Sequence, residues 1–114
     1  MRDDRIGWLD GLVIGTPNIT LVVDPSTTRR VSQSARVLVS HAHSDHTGGF
    51  RHKGLKQSTR ETRDIHHALN EHRVANFRSL DINERLTIGD VEIKALNAGH
   101  MLGSAQFLIN TPES

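Results

Sequence analysis

The short run Val37-Leu38-Val39 leads, after one serine, into His41, His43, Asp45 and His46. Three consecutive apolar β-formers predict a strand covered on both faces. Imidazoles and a carboxylate at such density fit neither a core, where unpaired polar groups are costly to bury, nor an ordinary surface, which does not need them. The strand must therefore end at a rim where those side chains converge on something, and the fold must keep that rim open.

Metal ligation explains the spacing. In an extended segment residues two apart point the same way, so His41 and His43 can share one ion. If the chain turns helical near Ser44, Asp45 and His46 swing aside to hold a second ion. Asp45 then lies near a helix N-terminus, which favours its ionised form. Gly48-Gly49 permits a tight backbone behind them. Imidazole nitrogen with carboxylate oxygen suits zinc, with manganese or iron as alternatives. A further ligand is offered by NAGHMLGSA, residues 97 to 105, where His100 follows a predicted strand among small neighbours. His41, His43 and His100 then form a three-histidine set on one ion.

The rest of the chain reads as mixed α and β in one domain, residues 1–114. Strands are expected over 12–16, ended by Pro17-Asn18, and over 19–23, ended by Asp24-Pro25. Ser58 and Glu61 form a capping box that opens a helix. Ile65, Ala68 and Leu69 fall on one face of it, and His52, His66, His67 and His72 read as solvated residues around it. LTIGDVEIKAL predicts a hairpin turning at Gly89-Asp90, and AQFLIN a last strand. Arg51, Lys53, Lys56, Arg60 and Arg63 form either a basic patch or a solvated helix face, without the aromatic residues that base stacking needs. The absence of cysteine excludes disulfides and thiolate ligands. No apolar run reaches membrane-spanning length, and the charged start MRDDRIGWLD does not read as a signal peptide, so the cytoplasm is the default compartment.

HAHSDH resembles the HxHxDH signature of the metallo-β-lactamase superfamily. LVVDP, with Asp24, looks like its first motif, an acidic residue that orients the site from behind; read on its own, Asp24 is a turn residue before proline. AGHMLGSA is similar to the third motif of the β-CASP nuclease branch, and the short span between motifs resembles ligase-associated DNA exonucleases and RNA end-processing factors. The resemblance implies two zinc ions, with His41, His43 and His100 on the first and Asp45 and His46 on the second. It also gives Asp45 the catalytic task of orienting the attacking water. Hydrolysis of RNA or single-stranded DNA phosphodiester bonds is the implied activity. A small-molecule metallo-hydrolase and a truncated non-catalytic metal-binding subunit are the alternatives.

The superfamily's complete site has a bridging aspartate and a last histidine beyond the third motif. Only fourteen residues follow His100, with Glu113 their one carboxylate side chain, and Asp90 belongs to the hairpin turn. The expected fold is thus the first half of an αββα sandwich, a mixed sheet with helices on one face. Its inner apolar face should be exposed until a missing C-terminal half, a partner chain or a second copy covers it.

Overall fold

The computed structural model describes residues 5–43, 46–99 and 102–111. A six-stranded sheet runs in the order β1 (Arg5–Trp8), β2 (Leu12–Gly15), β3 (Thr20–Val23), β4 (Arg36–Leu38), β5 (Lys56–Ser58), β6 (Phe77–Ser79). The first three strands are antiparallel neighbours, and β3 to β6 are parallel. The parallel half needs crossovers, which the chain supplies as a 3-10 helix, Thr47–Arg51, between β4 and β5, and as α1 (Arg60–Leu69) between β5 and β6. A second, three-stranded antiparallel sheet follows: β7 (Arg85–Ile88), β8 (Val91–Asn97) and β9 (Ala105–Asn110).

The central strand β4 is apolar on both faces because both are covered. Leu38 joins Ile14, Leu21, Val91, Ile93 and Ala95 in a core between the two sheets. Val37 and Val39 join Val22, Ala35 and Phe50 in a second core on the opposite face. The ring of Phe50 in the 3-10 helix meets that of His66 on α1 at 4.7 Å, which places the helices on this side. In β8 buried and open positions alternate: Val91, Ile93 and Ala95 are fully buried while Glu92 is exposed.

The inner face of the large sheet is not left bare, contrary to expectation. The chain's own three-stranded sheet covers it, and the apolar side chains most exposed lie instead at the β1 edge, Ile6 at 80% and Trp8 at 77%. The helix cap also shifts by one residue. Ser58 belongs to buried β5, and Thr59 caps α1 by accepting from the Thr62 amide at 3.2 Å. The buried stripe of α1 is Thr62 and His66, whereas Leu69 is largely exposed, so helical spacing of apolar residues misled.

Two of the histidines expected in solvent are core residues. His52 and His66 are each only 3% exposed. His52 Nε2 pairs with the Ala35 carbonyl at 3.1 Å, and His66 Nε2 lies 3.1 Å from His72 Nδ1. The basic cluster is dispersed as well. Lys56 is buried with its ammonium donating to the His52 carbonyl at 2.6 Å, while Arg60 and Arg63 pair with Asp81 and Asp64. No helix among the described residues is long and apolar enough to cross a membrane.

Truncating Leu38 to Ala opens a void between the sheets and should cost about 3 kcal/mol, read from urea unfolding. Burial first, then His72, His67 and Arg51, depress the pKa of His66 from 6.5 to about 4. Between those values the unfolded chain binds a proton that the folded chain refuses, so stability falls as pH drops from 6.5 towards 4. His66→Gln should flatten that dependence, measured as the difference in urea midpoint between pH 7 and pH 5.

Candidate metal centre

The strand order brings the ends of β3 and β4 side by side, with Asp24 just past one and Ser40-His41 past the other. Asp24 adopts a left-handed backbone, φ +52°. For a non-glycine residue that conformation costs on the order of 1 kcal/mol. Its amide donates to the Leu38 carbonyl at 2.9 Å, holding the turn against β4. The carboxylate then accepts from the Ser40 amide at 2.7 Å and from the Ser40 hydroxyl at 2.5 Å.

These bonds have a consequence for the neighbouring imidazole. The Ser40 hydroxyl has one proton and gives it to Asp24. Its contact with His41 Nδ1, at 2.8 Å, must therefore be one in which Nδ1–H donates. Nε2 is then the His41 nitrogen with the lone pair. His46 Nδ1 lies 3.3 Å from Asp24 Oδ2, the oxygen that also accepts from the Ser40 hydroxyl. A carboxylate behind imidazoles, directly or through a hydroxyl, is how metal-binding histidines are held in one tautomer.

The rings converge. His41 and His46 have centroids 4.1 Å apart, and His41 and His43 4.9 Å at nearly a right angle. Ligand atoms of Asp24, His41 and His46 all lie within 4.8 Å of one another, so this group could hold a metal ion. Two imidazole nitrogens and a carboxylate oxygen fit zinc and its first-row neighbours. Both oxygens of Asp24 already accept hydrogen bonds from Ser40, and Oδ2 also faces His46. His41 and His46 are half-buried and His43 is exposed on the rim. Asp45 and His100 lie outside the described residues.

The backbone behind the histidines is pressed against the turn that follows Asp24. A Cβ on Gly48 would come within 2.3 Å of the Ser26 carbonyl oxygen, so only glycine fits. The loop between β8 and β9 is tied down at its C-terminal end. Ala105 N–H donates to the Ser40 carbonyl at 2.8 Å, which sets the start of β9 beside His41. The hydroxyls of Thr59 and Thr62 donate to the Gly103 carbonyl at 2.6 and 3.1 Å, pinning the loop to the start of α1. Asp90 is engaged far from this rim, accepting from Thr16 and Asn18 at the hairpin. Ser40, Thr59 and Thr62 were not picked out from the sequence. Only the position of Ser40, directly before the first histidine, could have flagged one of them.

No protein-family model matches the sequence, and no curated protein does. Solved structures do. A HARLDQ-motif mutant of a metallo-β-lactamase from Cronobacter sakazakii superposes with a TM-score of 0.74 at 15% identity, over 96% of this chain and 57% of that one. A B3 metallo-β-lactamase with an active-site glutamic acid gives 0.71 at 17% identity, over 95% and 54%. Igni18, a metallo hydrolase from the archaeon Ignicoccus hospitalis, gives 0.67 at 14% identity, over 95% and 56%. The chain therefore has the metallo-β-lactamase fold in part, spanning little more than half the length of these structures.

The Ser40 relay is directly measurable in metal-free protein. Nitrogen-15 shifts should show His41 protonated on Nδ1, and Ser40→Ala should move it towards the Nε2–H form that free imidazole prefers. An unchanged tautomer in that variant would remove Asp24 and Ser40 from the site.

Proposed function

We propose that this chain carries the metal-binding half of a metal-dependent hydrolase. The observation that carries the reading is the single carboxylate of Asp24 orienting His41 through Ser40 and His46 directly, on the rim of a metallo-β-lactamase fold. His41, His43 and His100 would hold one zinc ion, and Asp45 and His46 a second, with manganese or iron as alternatives. When bound, the ions would supply a Lewis acid and acidify a water towards neutral pH. The chain's own residues supply the rest: Asp45 orients the attacking water and Asp24 fixes the imidazoles. Thr59 and Thr62 hold the loop on which residue 100 sits. Further residues downstream, or a partner chain, would complete the domain and contribute the remaining ligands.

The substrate we favour is the phosphodiester backbone of RNA or single-stranded DNA. Its support is AGHMLGSA, which resembles the third motif of the β-CASP nucleases. The second reading, a small-molecule hydrolase, is favoured by the burial of Lys56 and the pairing of Arg60 and Arg63 with aspartates, which remove most of a basic tract.

Calorimetric titration of the metal-free chain with zinc should show two ions per chain, and one in the Asp45→Ala, His46→Ala double variant. The zinc-loaded protein is then offered labelled single-stranded RNA and DNA, and in parallel a thioester, a lactone and a cyclic phosphodiester. Chelator-sensitive cleavage of a nucleic acid supports the first reading, and turnover of the small substrates alone supports the second. Two bound ions with no turnover would make this a non-catalytic metal-binding subunit, and no ion bound would overturn the proposal.

A further inference from the structure

A cavity of about 330 Å³ opens on the helical face of the large sheet, beside the rim but using none of the proposed metal ligands. Its walls are the turn after Asp24, the 3-10 helix and the later part of α1, with Thr27, Thr28, Thr47, Arg51, His66 and Asn70 among the lining residues. Two of those walls touch, since Gly48 is packed against Ser26 too closely to admit a Cβ. The cavity is thus a fixed part of the fold.

Its electrostatics are one-sided. Among the described residues no carboxylate lines it. Arg30, Arg60 and Arg63 each have an aspartate partner, whereas exposed Arg51 has none among the described residues. The charged groups acting on His66 are His72, His67 and Arg51, and those acting on His72 are Arg51, Lys56 and His67; every one of them opposes protonation. A concave surface lined by one sign of charge over a low-dielectric wall concentrates the opposite charge.

The donors are available as well. Thr27 Oγ accepts from the Arg29 amide at 3.3 Å, which leaves its own O–H to give. The Thr28 side chain makes no hydrogen bond among the described residues. Ser26 gives its proton to the Asp10 carbonyl at 3.3 Å and serves only as wall. Asn70 Nδ2 donates to His66 Nδ1 at 3.3 Å, so His66 carries its proton on Nε2 and passes it to His72. Thr27, Thr28 and the unpaired Arg51 therefore line a space that no described residue fills, and the fork of a guanidinium suits a tetrahedral oxyanion.

We infer that this cavity is a binding site for a phosphate-type oxyanion, either free phosphate or the phosphoryl group of a phosphomonoester, held by Arg51, Thr27 and Thr28. The inference is independent of metal binding and of hydrolysis. It is tested on the metal-free full chain by NMR titration with sodium phosphate, and in a second arm with adenosine monophosphate, both at constant ionic strength. Saturable shifts should be confined to residues 26–28, 47–51 and 66. Arg51→Gln should weaken binding about tenfold or more. Thr28→Val should weaken it severalfold, and Arg78→Gln, an exposed charge on β6, should leave it unchanged. Tighter binding of adenosine monophosphate identifies a phosphomonoester as the ligand, and equal or tighter binding of phosphate identifies the free ion. Shifts that do not saturate or that spread over the surface would overturn the inference, as would equal losses in Arg51→Gln and Arg78→Gln.

Discussion

The rim of this molecule depends on one carboxylate. Asp24 takes two hydrogen bonds from Ser40 and faces His46, so a single charged group fixes the exit of β4 and the orientation of two imidazoles. It can do so only because β3 and β4 are parallel neighbours that end together, and because the backbone at Asp24 is turned left-handed to aim the side chain across the gap. Such strain is tolerated where surrounding bonds over-determine it. Here the Asp24 amide, bonded to Leu38, supplies that restraint.

The helical side of the sheet is held by polar groups to an unusual degree. Lys56, Ser58, Thr59, Thr62 and His66 are all buried there. Buried polar groups must find partners, and most of these do: Lys56 at the His52 carbonyl, Thr59 and Thr62 at Gly103, His66 at His72 and Asn70. Specific bonds of this kind define a single arrangement of α1 against the sheet more sharply than apolar contact does. They also deliver the start of α1 to the β8–β9 loop, so the helix contributes to the geometry of the rim without offering a ligand.

Much of this was legible in the sequence where periodicity and turn chemistry agreed. The strand through Val37 and Leu38, the hairpin at Gly89-Asp90, the alternation along β8 and the strand Ala105–Asn110 all follow from patterns of apolar residues. His41 and His43, two apart after a strand, were expected side by side and their rings meet, whereas His46, expected to swing to a different side, lies closer still to His41. What was hidden was polar. Strand β5, Lys-Gln-Ser, carries no hydrophobic signal and is buried only because parallel neighbours enclose it. The histidines at 52 and 66 look solvated in a sequence and are buried because their ring nitrogens find partners, His52 at the Ala35 carbonyl and His66 at His72. The covering of the inner face was hidden for a related reason: the hairpin and the last strand carry no local signal of the packing that brings Ile93 against Leu38.

The bond from Ala105 to the Ser40 carbonyl ties the two sheets together at the residue that precedes His41. Strand β9 is thereby indexed twice, once by its pairing with β8 and once by this cross-sheet contact. A slip of one position along β8 would turn Phe107 and Ile109 to solvent and draw Gln106 and Asn110 inward, while pulling the β8–β9 loop off the rim. Insertions or deletions in β9 are therefore selected against by the interior and by the site at once, and the evolutionary freedom of that strand should be confined to the identity of its outward side chains, Gln106, Leu108 and Asn110.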